Sequence, residues 1–598
     1  MSNEKKIRNI AIIAHVDHGK TTLVDKLLHA SGTLDTAQTD RVMDSNDIER
    51  ERGITILAKN TGINYKGYKI NIVDTPGHMD FGGEVERTLQ MVEGFLLLVD
   101  AAEGVLPGTR FVLSKALALG LKPIVVINKI DRKDATPEKT ESDIHDLFLD
   151  LATTEDQLDF PILYGSARLG FMGNDPHATS GSMDPLLYTI IEKVNAPVAR
   201  SDKFQFLVTN LGYDNFLGIV AVGRVFSGSI KTGENFVTCK DDYVSKPMRI
   251  TKIFGFEGLN KIEVSEATEG EIVAISGFVE EPKIGSTLCI PGKVETLPYV
   301  KIDEPTLSVF ISVNNSPFNG REGELLTSRQ IKERLEKELK TNVALRVEPT
   351  DSPDVFKVSG RGQLHLSILV ENMRREGFEL QVSAPEVVYK TIDGKKHEPI
   401  EKVFIDVPEE HQGIVIEKLG QRKGEMVDMK SLPNGRVSME FKVPTKGLLG
   451  FRGQFLTDTR GTGVANYSFH GYELDKGSIP TRIKGALVSM ENGTVKGYAL
   501  DNLQQRGILF VAPGAEVYEG LIIGEHSRDN NLDVNPCKAK KLTNMRASGT
   551  DDSPQLAPPK IMDFESCLEW IQPDELIEVT PESIRLRKKE LKAGSRKK

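Results

Sequence analysis

The sequence predicts a multidomain protein of α/β and β architecture, and three observations support this prediction. First, 598 residues exceed what a single hydrophobic core can organise. Second, residues 1–200 alternate apolar strand-like runs with amphipathic helical segments, whereas residues 201–300 contain short alternating strands with frequent glycine. Third, the order strand–helix–strand–strand–helix–strand occurs over residues 301–390 and again over 391–480, before a distinct C-terminal region, 481–598.

The first segment contains four fully apolar runs, which are IRNIAII, YKINIVD, GFLLLVD and KPIVVIN. Such strands, separated by helices, are typical of a parallel sheet that is covered on both faces. The runs FQFLVTNL and LGIVAVGRVFSGSI in the second segment instead alternate in polarity, which predicts an antiparallel β-barrel.

The two repeats predict ferredoxin-like α+β domains, because both follow the split β-α-β-β-α-β order. The expected helices of the first repeat are RQIKERLEKELKT and GQLHLSILVENMRREG. In the C-terminal region, residues 526–553 form a long polar stretch without periodicity, and loops of this length are usually functional or disordered.

Composition indicates an ordinary globular protein. No apolar stretch approaches the roughly 20 residues needed to span a bilayer, and the polar start MSNEKKIRNI lacks a signal-peptide core. The four cysteines are far apart, which predicts neither a disulfide framework nor a zinc site. The net charge of −10 argues against a protein that coats nucleic acid through bulk charge. We expect a cytoplasmic protein without a membrane partner, and we expect it to be a monomer.

Basic residues are nevertheless concentrated near the C-terminus. The tail SIRLRKKELKAGSRKK, which begins at Ser583, is either a solvated, disordered end or a local contact with RNA. A second basic stretch is either a solvated loop or a loop that orders on RNA, and it consists of Lys538, Lys540, Lys541 and Arg546.

Residues 14–22, AHVDHGKTT, lie between a predicted strand and a predicted helix, as a phosphate-binding loop requires. The turn would aim backbone N–H groups at phosphate oxygens, and the helix N-terminus adds its dipole. Lys20 is expected to reach the β- and γ-phosphates. Ala14 replaces the usual first glycine, which is tolerable if its φ stays negative. The predicted phosphate-binding residues are Asp17, His18, Gly19, Lys20, Thr21 and Thr22.

The same loop raises two further questions. His15 and His18 have HxxH spacing, but we disfavour zinc because a lysine and a phosphate leave little room for a second cation. Asp17 is expected to assist through a bound monovalent cation or through a hydrogen bond within the loop, and both options stay open.

The motif NIVDTPGH and the preceding RGITI predict the γ-phosphate side of the site. Asp74 ends a strand and is expected to hold Mg²⁺ through water, together with the hydroxyls of Thr21 and Thr55. The segment around Thr55 is expected to be ordered by the triphosphate and released after hydrolysis. Gly77 is expected to offer its N–H to the γ-phosphate. His78 follows it and is the expected catalytic residue, which orients the attacking water.

The motifs NKID and SAR predict the base side. The Asp131 carboxylate can accept two hydrogen bonds from guanine N1–H and N2–H₂, a donor pair that adenine lacks, so this residue selects GTP over ATP. Asn128 and Lys129 would brace the base and the loop. A backbone N–H for the guanine oxygen is expected from Ser166, Ala167 and Arg168.

The fold class that follows is multidomain α/β and β. It comprises a P-loop GTPase domain, a β-barrel, two ferredoxin-like α+β domains and a distinct C-terminal domain. The expected cofactors are GTP or GDP and Mg²⁺.

The combination of AHVDHGKTT, RGITI, DTPGH and NKID resembles the translational GTPases. SGRGQLHLSILVENMRREG is similar to the third domain of elongation factor G, but the chain has no room for that factor's long inserted domain, so a standard translocase is not expected. LepA also lacks that domain, yet its C-terminal region differs. MDSNDIERERGITILAKNT, PTKGLLGFRGQFLTDTRGTG and HSRDNNLDVNPCKAKKLTNMRASG are similar to the BipA (TypA) family.

This resemblance implies a ribosome-associated GTPase that binds the factor site of the large subunit, where ribosomal RNA stimulates hydrolysis. It also implies a role in large-subunit assembly and in growth under stress or at low temperature, and a C-terminal domain that reaches toward tRNA. The family places Val16 and Ile54 as an apolar pair beside His78. Two alternatives stay open: a nucleotide-gated RNA-binding assembly scaffold, and a LepA-like factor that acts on translocated ribosomes.

Overall fold

The computed structural model describes residues 6–15, 17–33, 47–52, 55, 58–76, 82–214, 216–258, 260–299, 304–342, 344–432, 435–479, 482, 484–539 and 555–596. The chain divides into two compact units, Met1–Asp303 and Glu304–Lys598. No helix within the described ranges is long and apolar enough to cross a membrane.

A seven-stranded sheet forms the centre of the first domain. Its strands are β1 Ile7–Ala14, β2 Lys59–Tyr65, β3 Tyr68–Asp74, β4 Gly94–Asp100, β5 Lys122–Asn128, β6 Ile162–Ser166 and β7 Phe171–Gly173. The strand order is β2-β3-β1-β4-β5-β6-β7, and the five central strands are parallel. The predicted parallel sheet is therefore confirmed, with antiparallel strands β2 and β7 at its edges.

Helices cover both faces of this sheet, and a separate apolar cluster fills each side. They are α1 Lys20–Ala30, α2 Asp47–Arg52, α3 Gly82–Leu89, α4 Pro107–Ala118, α5 Pro137–Leu151 and α6 Asp184–Lys193. Because strands such as β4 are buried along their whole length, they read as continuous apolar runs in the sequence.

The second domain is an antiparallel β structure around one apolar cluster, as the alternating pattern predicts. Its strands are β8 Gln205–Asp214, β9 Gly218–Ser227, β10 Ser229–Lys231, β11 Asn235–Lys240, β12 Tyr243–Val244, β13 Met248–Arg249, β14 Lys252–Glu257, β15 Asn260–Val264, β16 Glu266–Thr268, β17 Ile272–Ser276 and β18 Thr287–Cys289. Its tip contacts the first domain where Gly258 pairs with Gly62.

The second unit begins with the two expected β-α-β-β-α-β domains. The first contains β19 Leu307–Val313, α7 Ser328–Thr341, β20 Arg346–Pro349, β21 Val355–Gly360, α8 Gln363–Arg375, β22 Leu380–Ser383 and β23 Glu386–Val387. A short β24 Lys390–Ile392 leads into the second, which contains β25 Lys395–Pro408, α9 Gln412–Gln421, β26 Glu425–Leu432, β27 Arg436–Pro444, α10 Thr445–Leu448, α11 Phe451–Asp458 and β28 Val464–Leu474. A capping box starts α7, in which Thr327 and Gln330 satisfy each other's backbone N–H groups.

The C-terminal region adds a small sheet and then returns to the first ferredoxin-like domain. Its elements are β29 Ala486–Ser489, β30 Gly493–Thr494, α12 Gly497–Leu503, β31 Gly507–Leu509, β32 Glu516–Val517, β33 Ile522–His526, β34 Leu532–Val534, α13 Phe564–Trp570, β35 Glu575–Val579 and β36 Ile584–Lys588. Strand β35 pairs with β22, so one sheet runs β20-β21-β19-β22-β35-β36. The two regions therefore share one core, and the exact boundaries 301–390 and 481–598 stay predictions.

The basic tail is not a disordered end. Residues 584–588 form strand β36, in which the Arg587 and Lys588 side chains are each only 2% exposed. The Lys588 ammonium lies 2.7 Å from Glu575 Oε1 and 2.8 Å from Asp574 Oδ2. The interpretation as a solvated end is therefore wrong for this part, because these basic residues lie in a paired strand in which Lys588 meets the buried carboxylate of Glu575 and Arg585 meets that of Glu578.

The other basic stretch is described only in part. Lys538 lies in the described ranges, whereas Lys540, Lys541 and Arg546 lie outside them, as does the second half of the predicted 526–553 loop. The first half is not a loop throughout, because residues 532–534 form strand β34.

Candidate nucleotide-binding site

Five neighbouring parallel strands end at one edge of the first sheet. The last residues of β1, β3, β4, β5 and β6 are Ala14, Asp74, Asp100, Asn128 and Ser166. Open α/β sheets bind ligands at this carboxyl edge, because the loops that follow the strands diverge there. The structure thus brings AHVDHGKTT, NIVD, NKID and SAR together, although up to about 150 residues separate them in the chain.

The backbone of the phosphate-binding loop has two residues in the left-handed region, Asp17 at φ 64° and Gly19 at φ 95°. Aspartate tolerates this region better than most residues, and glycine adopts it at no steric cost. Ala14 needs no such freedom, because it is the last residue of a regular strand. Gly19 caps α1, and Thr21 and Thr22 lie partly buried in the first turn of that helix.

Gly19 is also required by packing. A Cβ atom at this position would lie 2.6 Å from Asn128 Nδ2, which is closer than nonbonded atoms approach. Both the nitrogen and the oxygen of the Asn128 side-chain amide form hydrogen bonds here. Its Nδ2 donates to the His18 carbonyl at 2.8 Å, and its Oδ1 accepts from the Ala167 N–H at 2.8 Å. Asn128 therefore joins the phosphate loop to the SAR loop.

Lys129 connects the same loops from the other side. Its backbone adopts φ 61°, and its ammonium donates to the Asp17 carbonyl at 2.6 Å and lies 2.8 Å from Asp100 Oδ2. Burial by itself would raise the pKa of Asp100, but hydrogen bonds from Lys129 and the Ala102 N–H outweigh burial and hold this pKa below its usual value. Asp100 is not among the residues predicted from the sequence, although it ends β4 as Asp74 ends β3.

Asp131 lies at the mouth of the site, with its side chain 18% exposed. Its Oδ2 lies 3.0 Å from the guanidinium of the largely exposed Arg168. Ser166 is buried and its Oγ accepts the Leu169 N–H at 3.3 Å, which shapes the SAR turn. The residues predicted to recognise the base therefore lie on two adjacent loops and contact each other.

Lys20 and Asp74 form a buried ion pair of 3.0 Å below the phosphate loop. The Lys20 ammonium also donates to the Thr75 carbonyl, and the Thr75 hydroxyl donates to the Ile12 carbonyl at 2.7 Å. Thr55 Oγ1 lies 3.5 Å from Asp74 Oδ2. A hydroxyl and a carboxylate at this spacing suit Mg²⁺, which prefers oxygen ligands, and the ammonium suits a phosphate. Val16, Ile54, Gly77 and His78 lie outside the described residues.

The His18 imidazole is completely buried, so it faces the protein interior rather than a ligand. Its Nδ1 lies 3.3 Å from the Leu98 carbonyl, which can only accept, so this nitrogen carries the proton. Burial, reinforced by neighbouring His15, lowers the pKa of His18 to about 4. The described residues contain no group of three His, Cys, Asp or Glu side chains placed to hold a metal ion.

Because the folded-state pKa of His18 is below its unfolded value of 6.5, the unfolded chain binds more protons between these values. Stability is therefore lost as pH falls through this window. From pH 7 to pH 5 we expect this residue to remove about 2 kcal/mol from the stability of the first domain. Thermal unfolding at both pH values, with wild type, His18→Gln and the exposed control His145→Gln, measures the effect. An identical pH dependence in wild type and His18→Gln would contradict it.

Four family models match consecutive parts of the chain. They are Elongation factor Tu GTP binding domain at residues 5–196, Elongation factor G domain 2 at 203–290, Elongation factor G C-terminus at 395–483 and TypA/BipA C-terminal domain at 484–593. The first of these contains all the loops described above.

Full-length relatives decide the family. The chain is 53% identical over 602 residues to the large ribosomal subunit assembly factor BipA of Bacillus subtilis (strain 168), which covers 100% of this chain and 98% of that protein. It is 54% identical over 605 residues, with the same coverage, to the protein of that name from Haemophilus influenzae. The chain belongs to the BipA family.

Membership confirms the resemblance inferred from the motifs, and the domain matches and topology confirm the predicted fold class. A crystal structure of a protein from Thermus thermophilus shares the fold with a TM-score of 0.57 at 17% identity, over 79% of this chain and 97% of that one. This BipA-family chain thus carries a GTP-binding domain of the elongation-factor type at its N-terminus.

Proposed function

We propose that this protein is a GTP hydrolase that binds at the factor site of the ribosome and acts in assembly of the large subunit. The observation that supports the proposal is that Gly19, Asn128 and Asp131 lie on neighbouring loops at one sheet edge, where the first loop would hold phosphates and the Asp131 carboxylate would accept from guanine. The printed name of the relatives, large ribosomal subunit assembly factor, supports the biological role. We extend the proposal to growth under stress or at low temperature, to contact with tRNA, and to a cytoplasmic monomer.

The proposed roles of the residues follow from their chemistry. Lys20, which pairs with Asp74, would contact the β- and γ-phosphates. Thr21, Thr55 and Asp74 would hold Mg²⁺, which supplies charge neutralisation on the phosphates when bound. His78, next to the glycine that would contact the γ-phosphate, would orient the attacking water.

The residues of the NKID and SAR motifs would hold the guanine base and the phosphate loop. Asp131 would accept the guanine N–H groups, and Asn128 and Lys129 would keep the loops in place through the contacts already described. The backbone of the SAR turn would face the guanine oxygen. Two roles stay open for Asp17. It would contribute through a hydrogen bond within the loop, where its carbonyl accepts from Lys129, or through a bound monovalent cation.

Ribosome-stimulated hydrolysis tests the proposal. Wild-type protein is expected to hydrolyse GTP slowly alone and much faster with 50S subunits or 70S ribosomes. His78→Ala is expected to bind GTP normally, but its stimulated rate is expected to fall about 100-fold or more. A positioned side chain that orients the attacking water and interacts with its proton typically accelerates hydrolysis by this factor. His145→Ala, on the exposed face of α5, is the matched control. Normal stimulated turnover in His78→Ala would remove the residue from its role.

A second measurement separates the assembly scaffold from the hydrolase. If a variant that binds GTP without hydrolysing it still supports large-subunit maturation, then hydrolysis serves only release. The match of residues 484–593 to the TypA/BipA C-terminal domain speaks against the LepA-like alternative.

A further inference from the structure

A cleft of about 650 Å³ lies between the first domain and the β-barrel of the first unit. Residues 89–93, which precede β4, and residues 119–121, which precede β5, line one side of it. These segments lie at the amino edge of the sheet. The nucleotide site lies at the carboxyl edge, about 20 Å away along strands of seven residues. The cleft is therefore separate from the site described above.

The charged groups of the cleft do not cancel. Two guanidinium groups, those of Arg200 and Arg224, each lie 4.6 Å from the centre of the Phe226 ring. The Glu93 carboxylate pairs with Arg224 and accepts from Asn9 at 3.0 Å. Among the described residues no carboxylate pairs with Arg200, whose side chain is exposed. Among the groups that line the cleft, two arginines thus face one carboxylate. Glu93 also acts electrostatically on Arg200, and Glu269, outside the lining, acts on Arg224.

Hydrogen bonds hold both arginine residues in position beside the cleft. The Arg200 backbone N–H donates to Ser227 Oγ at 2.9 Å, and Arg224 Nη1 donates to the Met91 carbonyl at 3.1 Å. Arg224 is 4% exposed, yet its Nε–H has no acceptor within the described part of the chain. Because this nitrogen has almost no accessible surface, a ligand that enters the cleft would meet the exposed Arg200 rather than Arg224.

The remaining wall is apolar. Phe226 forms a small buried cluster with Leu207 and Leu297, and Val92 and Leu121 line the opposite side. Sites for small molecules commonly combine such apolar walls with a few fixed polar groups.

We propose that this cleft binds an amphipathic organic anion, with one acidic group at Arg200 and an apolar or aromatic body against Phe226, Leu207 and Leu297. The acidic group meets the exposed guanidinium of Arg200. The apolar body fills the space between the two domains. Neither contact involves a residue of the nucleotide site.

Such a ligand would act on the nucleotide site through α3. The cleft contains Leu89, the last residue of this helix, and the helix begins at Gly82, four residues after His78 of the DTPGH motif. A ligand that ties the end of α3 to the barrel would change GTP affinity, and GTP would change the ligand's affinity by the same factor.

Fluorescence titration of the full chain with 8-anilinonaphthalene-1-sulfonate, an aromatic body with one sulfonate, tests the proposal. Wild type is expected to bind one equivalent saturably. Arg200→Gln is expected to weaken binding about tenfold, as the loss of one charge-assisted hydrogen bond does. Arg249→Gln, an exposed arginine of the barrel outside the cleft, is expected to leave it unchanged. Octanoate and phenyl phosphate, added as competitors, distinguish a carboxylate-bearing from a phosphate-bearing occupant.

The inference fails if binding is not saturable, if neither competitor displaces the probe, or if Arg200→Gln and Arg249→Gln weaken binding equally. Ala199→Phe, which fills the cleft from an exposed position, provides an independent check and is expected to abolish probe binding. All three variants are expected to keep normal GDP affinity. This readout shows that they are folded and keeps the result independent of the proposed hydrolase function.

Discussion

Replacing Asp131 with asparagine is expected to weaken GTP binding by about 100- to 10,000-fold, because two hydrogen bonds to a charged acceptor are lost. In the variant, the asparagine NH₂ group would face the guanine N1–H and N2–H₂ groups, and two donors cannot form a hydrogen bond with each other. Xanthine carries a carbonyl in place of the guanine amino group, so Asp131→Asn is expected to bind xanthosine triphosphate more tightly than GTP. Equilibrium titration of wild type and variant with both nucleotides measures the change in preference.

The loop offers a matched control. Asp134 lies three residues further along, is 64% exposed and pairs with Arg132 at 2.7 Å. Asp134→Asn removes the same charge from the same loop and is expected to leave the GTP affinity unchanged. Arg168→Ala tests whether the contact between Arg168 and Asp131 Oδ2 matters for base recognition. An unchanged preference for GTP in Asp131→Asn would defeat the assignment of this residue.

Replacing Glu578 with alanine is expected to destabilise the second unit by about 3–5 kcal/mol, because it leaves two buried hydroxyl donors without an acceptor and removes one of the two carboxylates that pair with Arg585. The Glu578 carboxylate is completely buried in β35. The Tyr518 hydroxyl donates to it at 2.6 Å and the Ser316 hydroxyl at 2.8 Å, and the Arg585 guanidinium lies 3.2 Å away. These partners come from three separate parts of the unit, so the carboxylate holds them together.

The single tryptophan, Trp570, reports this transition directly. It lies in α13, 8% exposed, and packs against Phe510 in the same unit. Urea unfolding followed by its fluorescence is expected to shift to markedly lower denaturant concentration in Glu578→Ala. Glu582→Ala, in the exposed turn between β35 and β36, is expected to change stability by less than about 0.5 kcal/mol. Equal midpoints for the two variants would show that the buried network does not stabilise the unit.

Much of the fold was predictable because it depends on local patterns. A strand buried on both faces must be apolar throughout, so GFLLLVD and KPIVVIN could be recognised as central strands without knowledge of their neighbours. The phosphate loop was recognisable for the same reason, since a turn at a helix N-terminus needs glycine at a positive φ, as Gly19 has. The predicted roles of the site residues remain predictions that the proposed variants test.

Other features could not be predicted from local patterns. The tail beginning at Ser583 reads as a run of charges, yet Lys588 is buried beside the carboxylates of Glu575 and Asp574, and Arg587 is buried with the amide oxygens of Asn315 and Gln381 as acceptors. Asp100 looked like an ordinary strand end, and its role in holding Lys129 depends on the next strand in the sheet.

The strands, the order of the domains, the phosphate loop and the family could be predicted from the amino-acid sequence. These depend on apolar periodicity, backbone conformation and motif spacing, which are local properties of the chain. Three features became evident only in the folded chain. Asn128 reaches His18 across 110 residues, the C-terminal strands complete the sheet of β19–β22, and Arg200 faces a cleft without a carboxylate partner among the described residues. Whether a charge is paired, buried or available depends on what the folded chain places beside it.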